Sequence, residues 1–182
     1  MSIVFGQSNN TILTTGNGYI VDSLIKDIQT KNTSATPQDY LYSAIKLLIS
    51  RDYDGAITQV NAAIKQDEYY EDAYLIRGMA NQYKKDYLRA IYDFSIVISL
   101  NDEYKEAYFL RAAVRKLKKD YTGALNDYTR AIDVDDEYTD AYYKRGILEL
   151  ELSKKTEGCQ DLKMASDLGY KKADAIIQKY CQ

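Results

Sequence analysis

Apolar and polar positions along this chain repeat with a period of about 34 residues. One tyrosine recurs at Tyr74, Tyr108 and Tyr142, and another, preceded by aspartate, recurs at Tyr53, Tyr87 and Tyr121. A fixed period of this length is typical of stacked supersecondary units, and it accommodates two helices of three to four turns with tight connections. One such unit cannot bury its apolar face alone. The pattern therefore predicts units that stack along a continuous core.

The periodicity predicts two alternating sets of helices after Pro37, a residue that is tolerated at a helix start. The first helices are expected at 37–50, 71–84, 105–118 and 139–152, and the second helices at 54–66, 88–100, 122–134 and 156–168. Gly169 should end the last of these, with a closing helix at 171–181. Small residues within the helices, such as Gly78 and Ala90, would let paired helices approach closely.

The first 36 residues differ from the repeats. Residues 1–18 carry no charged side chain and form an uncharged N-terminal arm that cannot build a core of its own. Residues 19–36 are expected to be a short amphipathic helix, at 19–30, and a linker. The apolar side chains of the arm are Ile3, Val4, Phe5, Ile12 and Leu13. They need an external surface, so the arm should either reach a neighbouring subunit or fold back on the repeats.

The repeated residues resemble the tetratricopeptide repeat (TPR) family, whose unit is a helix–turn–helix of about 34 residues. The resemblance covers four units, 37–70, 71–104, 105–138 and 139–168, followed by a closing helix at 169–182, and the ending is similar to that of bacterial or phage-type members. The fourth unit departs from the pattern, with Lys155 in place of tyrosine and Gly158 in place of alanine. The resemblance implies an all-α, right-handed superhelical solenoid that supplies binding surfaces rather than one chemistry.

Composition argues against catalysis, cofactors and metals. The chain has no histidine, which excludes Ser-His and Cys-His catalytic pairs, and its two cysteines do not make a zinc site. Two cysteines are also too few for a disulfide scaffold, so Cys159 and Cys181 are expected to be small packing residues, without a decision on whether they are free. We therefore expect no enzyme activity and no cofactor.

The net charge of −3 gives no general attraction for nucleic acid, and no apolar run reaches membrane-spanning length. The first residues do not resemble a signal peptide, so a location in a virion or in the cytoplasm is expected. The partners should be proteins.

The TPR resemblance implies a concave face lined by the first helices. Its predicted partner-binding residues are Leu41, Tyr42, Ile45, Leu75, Ile76, Met79, Phe109, Leu110, Tyr143 and Lys144. Family members that clamp a carboxylate tail present basic residues on this face, whereas here only Lys144 is basic. The predicted groove is therefore apolar and aromatic, and it suits a helix or a hydrophobic extended segment. About a third of these side chains are expected to pack within the repeat instead.

Charges separate to the two edges of the expected stack. Turns within units carry the basic edge, Lys84, Lys85, Lys118 and Lys119, and turns between units carry acidic residues from Asp67 to Asp140. These charges either complement the helix dipoles or make edges through which the slab assembles or docks.

These patterns favour a non-enzymatic protein–protein interaction scaffold. One version is a structural adaptor subunit of a large assembly, such as a phage virion collar or tail ring or an envelope complex, with partners that include copies of itself in a ring. The alternative is a free cytoplasmic adaptor that binds a hydrophobic peptide or helix in its concave groove.

Overall fold

The computed structural model describes residues 35–182, which form nine α-helices and no strand. The helices are α1 (Pro37–Ile49), α2 (Tyr53–Gln66), α3 (Glu71–Tyr83), α4 (Tyr87–Leu100), α5 (Lys105–Leu117), α6 (Tyr121–Val134), α7 (Thr139–Glu151), α8 (Lys155–Asp167) and α9 (Lys172–Tyr180). Each helix packs on the next along the chain, and α3 also contacts α1 and α5. The predicted all-α repeat solenoid is confirmed, whereas the helix predicted at 19–30 lies outside the described residues.

The helix starts follow from local sequence. Thr36 and Asp39 form a capping box before α1, with Pro37 in its first turn. The second helices of the first three units each begin after an aspartate whose carboxylate accepts a backbone N–H bond three residues later. These aspartates are Asp52, Asp86 and Asp120. The fourth unit has Lys154 at this place, and its side chain makes no cap hydrogen bond.

Small residues set how closely the two helices of a unit approach. A Cβ added at Gly78 would lie 2.6 Å from the Phe94 ring, and one added at Gly146 would lie 2.8 Å from the carbonyl oxygen of Gly158. A ring can shift, but a backbone carbonyl cannot move alone. The departure of the fourth unit at Gly158 is thus a packing feature, since α7 and α8 meet backbone to backbone at two glycines.

Candidate interaction surfaces

The turns inside the units have an unusual composition. Arg51, Lys85, Lys119 and Ser153 adopt left-handed backbone conformations, with φ of 66°, 63°, 64° and 62°. Each lies just after a first helix, and its own amide and the following one donate to carbonyls of the last turns of that helix. Examples are the bonds from Lys85 N to Gln82 O and from Asp86 N to Asn81 O. Glycine is the usual residue at such a position, because an L side chain there costs about 1 kcal/mol. Three of the four turns therefore keep a basic side chain where glycine would be less strained.

Most of the predicted basic edge is exposed and available. Lys84 forms an ion pair with Asp54 of the preceding unit, which shows that the turns of successive units lie side by side. Lys85, Lys118 and Lys119 are exposed, and no ion pair among residues 35–182 uses them. The role of these four lysines in binding stays a prediction.

The turns between units form an acidic edge. The side chains of Asp67, Asn101 and Asp135 each accept the backbone N–H two residues later, at 3.0, 3.1 and 3.0 Å, and so fix the turn. The carboxylates beside them do not take part in ion pairs within the described chain, and they are exposed. These are Glu68, Asp102, Glu103, Asp136 and Glu137.

Helix dipoles do not account for this separation of charge. Every turn joins the C-terminal end of one helix to the N-terminal end of the next, so each edge contains helix ends of both signs. Dipoles favour basic residues at one kind of end and acidic residues at the other. Dipoles explain Lys84 after α3 and Glu71 in the first turn of that helix, but not the aspartates directly after α2 and α6.

A repeated arginine–aspartate ladder, which was not among the predicted sites, links the units. Arg145 on α7 donates to both carboxylate oxygens of Asp161 on α8, at 2.6 and 2.8 Å, and Nη1 donates to Thr129 Oγ1 of the preceding unit at 2.9 Å. The corresponding arginines of the second and third units do the same. Their partners are Asp127 with Ser95 for Arg111, and Asp93 with Asn61 for Arg77.

The ladder also explains one of the two repeated tyrosines. The guanidinium groups of Arg77, Arg111 and Arg145 lie over the rings of Tyr74, Tyr108 and Tyr142, at 5.1, 5.7 and 5.7 Å from the ring centroids. Each arginine therefore contacts its own tyrosine, the second helix of its own unit and the second helix of the unit before. Such a contact fixes the register between neighbouring units.

The predicted concave groove is largely core. Seven of its ten residues are less than 5% exposed, namely Leu41, Ile45, Leu75, Ile76, Met79, Phe109 and Leu110. Phe109, for example, packs against the rings of Tyr128 and Tyr138, with centroids 5.7 and 5.3 Å away. The expectation that these seven side chains line an open groove is corrected, because large apolar groups at neighbouring positions bury one another rather than face solvent.

The other three predicted groove residues are half-buried. Tyr42 lies on α1 with Lys46 over its ring, Tyr143 packs on Tyr170 with centroids 4.7 Å apart, and Lys144 lies beside Tyr143. Burial lowers the pKa of the Lys144 ammonium, against the attraction of Asp140. Contact of these three residues with a partner stays a prediction. The arm residues Ile3, Val4, Phe5, Ile12 and Leu13 lie outside the described residues.

Two partly buried carboxylates lie near the starts of first helices. Burial raises the pKa of the Asp72 carboxyl, although Tyr104 Oη donates a hydrogen bond to it at 2.6 Å. Burial likewise raises the pKa of Glu106, one repeat further on. The burial of Tyr104 and the carboxylate of Asp72 together raise the pKa of that phenol strongly. Folding thus removes two carboxylates from part of their water, and the attraction of Lys105 for Glu106 does not offset the effect of burial.

The two cysteines form a disulfide. Cys159 on α8 and Cys181, directly after α9, have Cα atoms 5.6 Å apart and are separated by 22 residues. The sequence left open whether these two cysteines are free, and no cysteine in the described chain is free.

No cluster of three or more potential ligands for a metal ion occurs within residues 35–182. None of the helices in this range combines the length and apolar character needed to cross a membrane.

Several solved structures have a similar fold. The crystal structure of MamA is 21% identical with a TM-score of 0.70, over 85% of this chain and 89% of that one. The first TPR of Spaghetti (RPAP3), bound to the HSP90 peptide SRMEEVD, is 22% identical with a TM-score of 0.63, over 66% and 96%. The Arabidopsis OM64 TPR domain is 24% identical with a TM-score of 0.55, over 60% and 94%. No protein-family model or curated sequence matches the chain, so these likenesses establish the fold alone.

Proposed function

We propose that this tetratricopeptide-repeat solenoid is a non-catalytic adaptor subunit of a multiprotein assembly, and that its partners include other copies of itself. The observation that carries the proposal is the pair of oppositely charged edges. Basic turns lie on one edge and acidic turns on the other, and both sets repeat once per unit. Two copies placed side by side in the same direction would therefore match basic turns to acidic turns, unit by unit.

The backbone conformation of two lysines supports this proposal separately from the distribution of charge. Lys85 and Lys119 occupy strained positions and make no ion pair among the described residues. Strain of this kind persists where a side chain has a use that glycine would not serve. A docking edge is such a use, since it needs the charge at the tip of the turn.

Side-by-side contact of this kind is heterologous, because each copy uses a different edge. Heterologous contacts generate closed rings when the rotation between copies closes, and open filaments when it does not. A ring or collar in a virion or an envelope complex is the assembly that we propose. The N-terminal arm at 1–18 would add a second attachment to the neighbouring subunit.

Self-association measured by sedimentation tests the proposal. Copies should associate at about 0.1 M salt and separate at about 1 M, where the screening length falls from about 10 Å to about 3 Å. The double variant Lys85→Gly/Lys119→Gly should weaken association and at the same time unfold at higher temperature, because it removes charge and relieves strain together. This opposite movement of stability and affinity distinguishes a docking residue from a merely structural one.

A matched control is available on the same chain. Lys163 is exposed on the second helix of the fourth unit, within the helix rather than at a charged turn, so Lys163→Glu should leave association unchanged. A copy with Glu68→Lys and Glu103→Lys should lose self-association, and so should a copy with Lys85→Glu and Lys119→Glu, because each then carries two edges of the same sign. A mixture of the two copies should associate again. A protein that stays monomeric at low salt, or an association that ignores these charge reversals, would contradict self-assembly through the edges.

A further inference from the structure

Helix α9 is the start of a fifth unit. In the second, third and fourth units, the amide of an alanine near the start of the first helix donates to the carbonyl of a tyrosine three residues earlier, at 3.0 to 3.1 Å. These pairs are Ala73 with Tyr70, Ala107 with Tyr104, and Ala141 with Tyr138. Ala173 makes the same bond to Tyr170, at 2.9 Å. Helix α9 thus takes the place of a first helix, packed on α8.

This helix buries little surface of its own. It has nine residues, against thirteen in α3, α5 and α7, and only Ala173 is fully buried. Ile176 and Ile177 are partly buried against Leu162 and Ala165 of α8. Arg77, Arg111 and Arg145 tie the first helices of three units to their neighbours, and α9 has no arginine at the equivalent position. Noncovalent packing alone therefore holds α9 only weakly on α8.

The disulfide adds a covalent link to this weakly packed helix. Cys181 follows α9 directly and is bonded to Cys159 near the start of α8, so the far end of α9 is fastened to the helix beneath it. Lys155 Nζ donates to the backbone oxygen of Gln182 at 2.9 Å and reinforces the same contact. Tyr143, Ile147 and Leu150 of the fourth unit pack against the same small apolar cluster as Ile176 and Ile177 of α9.

We infer that the Cys159–Cys181 disulfide is the fastening that closes the end of the solenoid, and that the chain works in surroundings that oxidise thiols. Bond formation removes one proton and one electron from each thiol, and the two electrons reduce a disulfide-type oxidant to two thiols. Disulfides of this structural kind persist in secretory, periplasmic or cell-surface environments and are rare where thiol reductants are abundant. The inference favours the envelope version of the assembly over a cytoplasmic adaptor, and it does not depend on the charged edges.

Reduction should release α9 without unfolding the repeats. A bond that closes a loop of 22 residues lowers the population of the opened helix by roughly a hundredfold on loop-closure grounds. In the reduced chain, α9 should open locally and uncover the apolar surface at Tyr143 and Ile147, while the ladder of arginines holds α3 to α8 together.

Hydrogen exchange of the intact chain tests this inference. Oxidised protein should show no free thiol when it is titrated under denaturing conditions. After treatment with a dithiol reductant, which is itself oxidised to a cyclic disulfide, amides in 172–180 should exchange on the order of a hundredfold faster. Amides of α3 and α4 serve as the internal control and should not change. The variants Cys159→Ala and Cys181→Ala should reproduce the effect without reductant.

Two results would overturn the inference. One is a pair of free thiols in protein recovered from an oxidising compartment. The other is unchanged exchange of α9 after complete reduction, which would mean that packing alone holds the helix. If the alanine variants fail to fold, the reduced wild type still decides the matter, because its sequence is unaltered.

Discussion

Replacement of Arg145 by methionine is the most direct test of the ladder that holds the repeats in register. Methionine keeps an apolar side chain of similar reach and removes the charge and the donors. Asp161 would lose bonds of 2.6 and 2.8 Å, and the hydroxyl of Thr129 would lose a bond of 2.9 Å to the next unit. The change therefore breaks both the pairing within the last unit and a link to the unit before it.

The expected loss follows from burial. The side chain of Asp161 is 10% exposed and that of Arg145 is 18% exposed, so water cannot take over the lost hydrogen bonds without opening the helix pair. Removal of one partner of a buried ion pair leaves an uncompensated charge and costs about 3 kcal/mol or more. The Asp161 bond is also the first cause of the raised pKa of Arg145, which agrees with a strong native pair.

Urea denaturation followed by circular dichroism measures this loss. Arg130→Met is the matched control, because Arg130 and Asp133 form an exposed pair at 3.4 Å, and its loss should change the free energy of unfolding by less than about 0.5 kcal/mol. A second variant, Arg145→Met/Asp161→Leu, should recover much of the stability, since no buried charge is left. An Arg145→Met variant as mild as the control, or a double variant no more stable than the single one, would contradict a stabilising buried ion pair at this place.

Two further predictions concern the buried groups. Phe109→Ala should lower the free energy of unfolding by about 3 kcal/mol, because it leaves a cavity beside Tyr128 and Tyr138, and a protein of unchanged thermal stability would contradict its core position. The stability measured by urea midpoint should rise as the pH is lowered from about 7 toward the ordinary pKa values of 3.8 and 4.5. Burial raises the folded pKa values of Asp72 and Glu106 above these, and the stability that such a group contributes is lost as the pH rises through its folded pKa. Asp72→Asn should flatten this slope, and an unchanged slope would be evidence against burial of that carboxylate.

The sequence was sufficient for the helices because their signals are local. Predicted and observed ends differ by no more than one residue anywhere in residues 37–181. Aspartate caps such as Asp86, left-handed turns and alternating apolar positions all lie within a few residues of the boundaries they determine. The ladder had a signal too, since Asp93, Asp127 and Asp161 repeat at the same period and each follows its arginine at one constant spacing. That spacing joins the two helices of one unit.

The groove and the disulfide needed information that no local pattern contains. A repeat template assigns Leu41 and Leu75 to a concave face, but it does not say whether their neighbours leave them open. In the structure, apolar side chains at these positions pack on one another and are buried. Cys159 and Cys181 are 22 residues apart in sequence, and only the return of α9 across α8 brings their Cα atoms to 5.6 Å. Pairing of this kind depends on tertiary packing, which spacing alone does not determine.

The arginine ladder and the charged edges depend on each other mechanically. A docking edge matches a partner over several units only if the distance between successive turns is constant, and each arginine of the ladder fixes that distance by binding the second helices of two units. Arg111 is central, because it joins Asp127 of its own unit to Ser95 of the unit before. Loosening the ladder should therefore weaken assembly even where the charged turns are intact.

Ser95→Ala removes the link between units but leaves the pair with Asp127, so it should reduce self-association more than it reduces stability. Sedimentation and urea denaturation on the same variant measure the two effects, and equal losses in both would mean that the ladder serves folding alone.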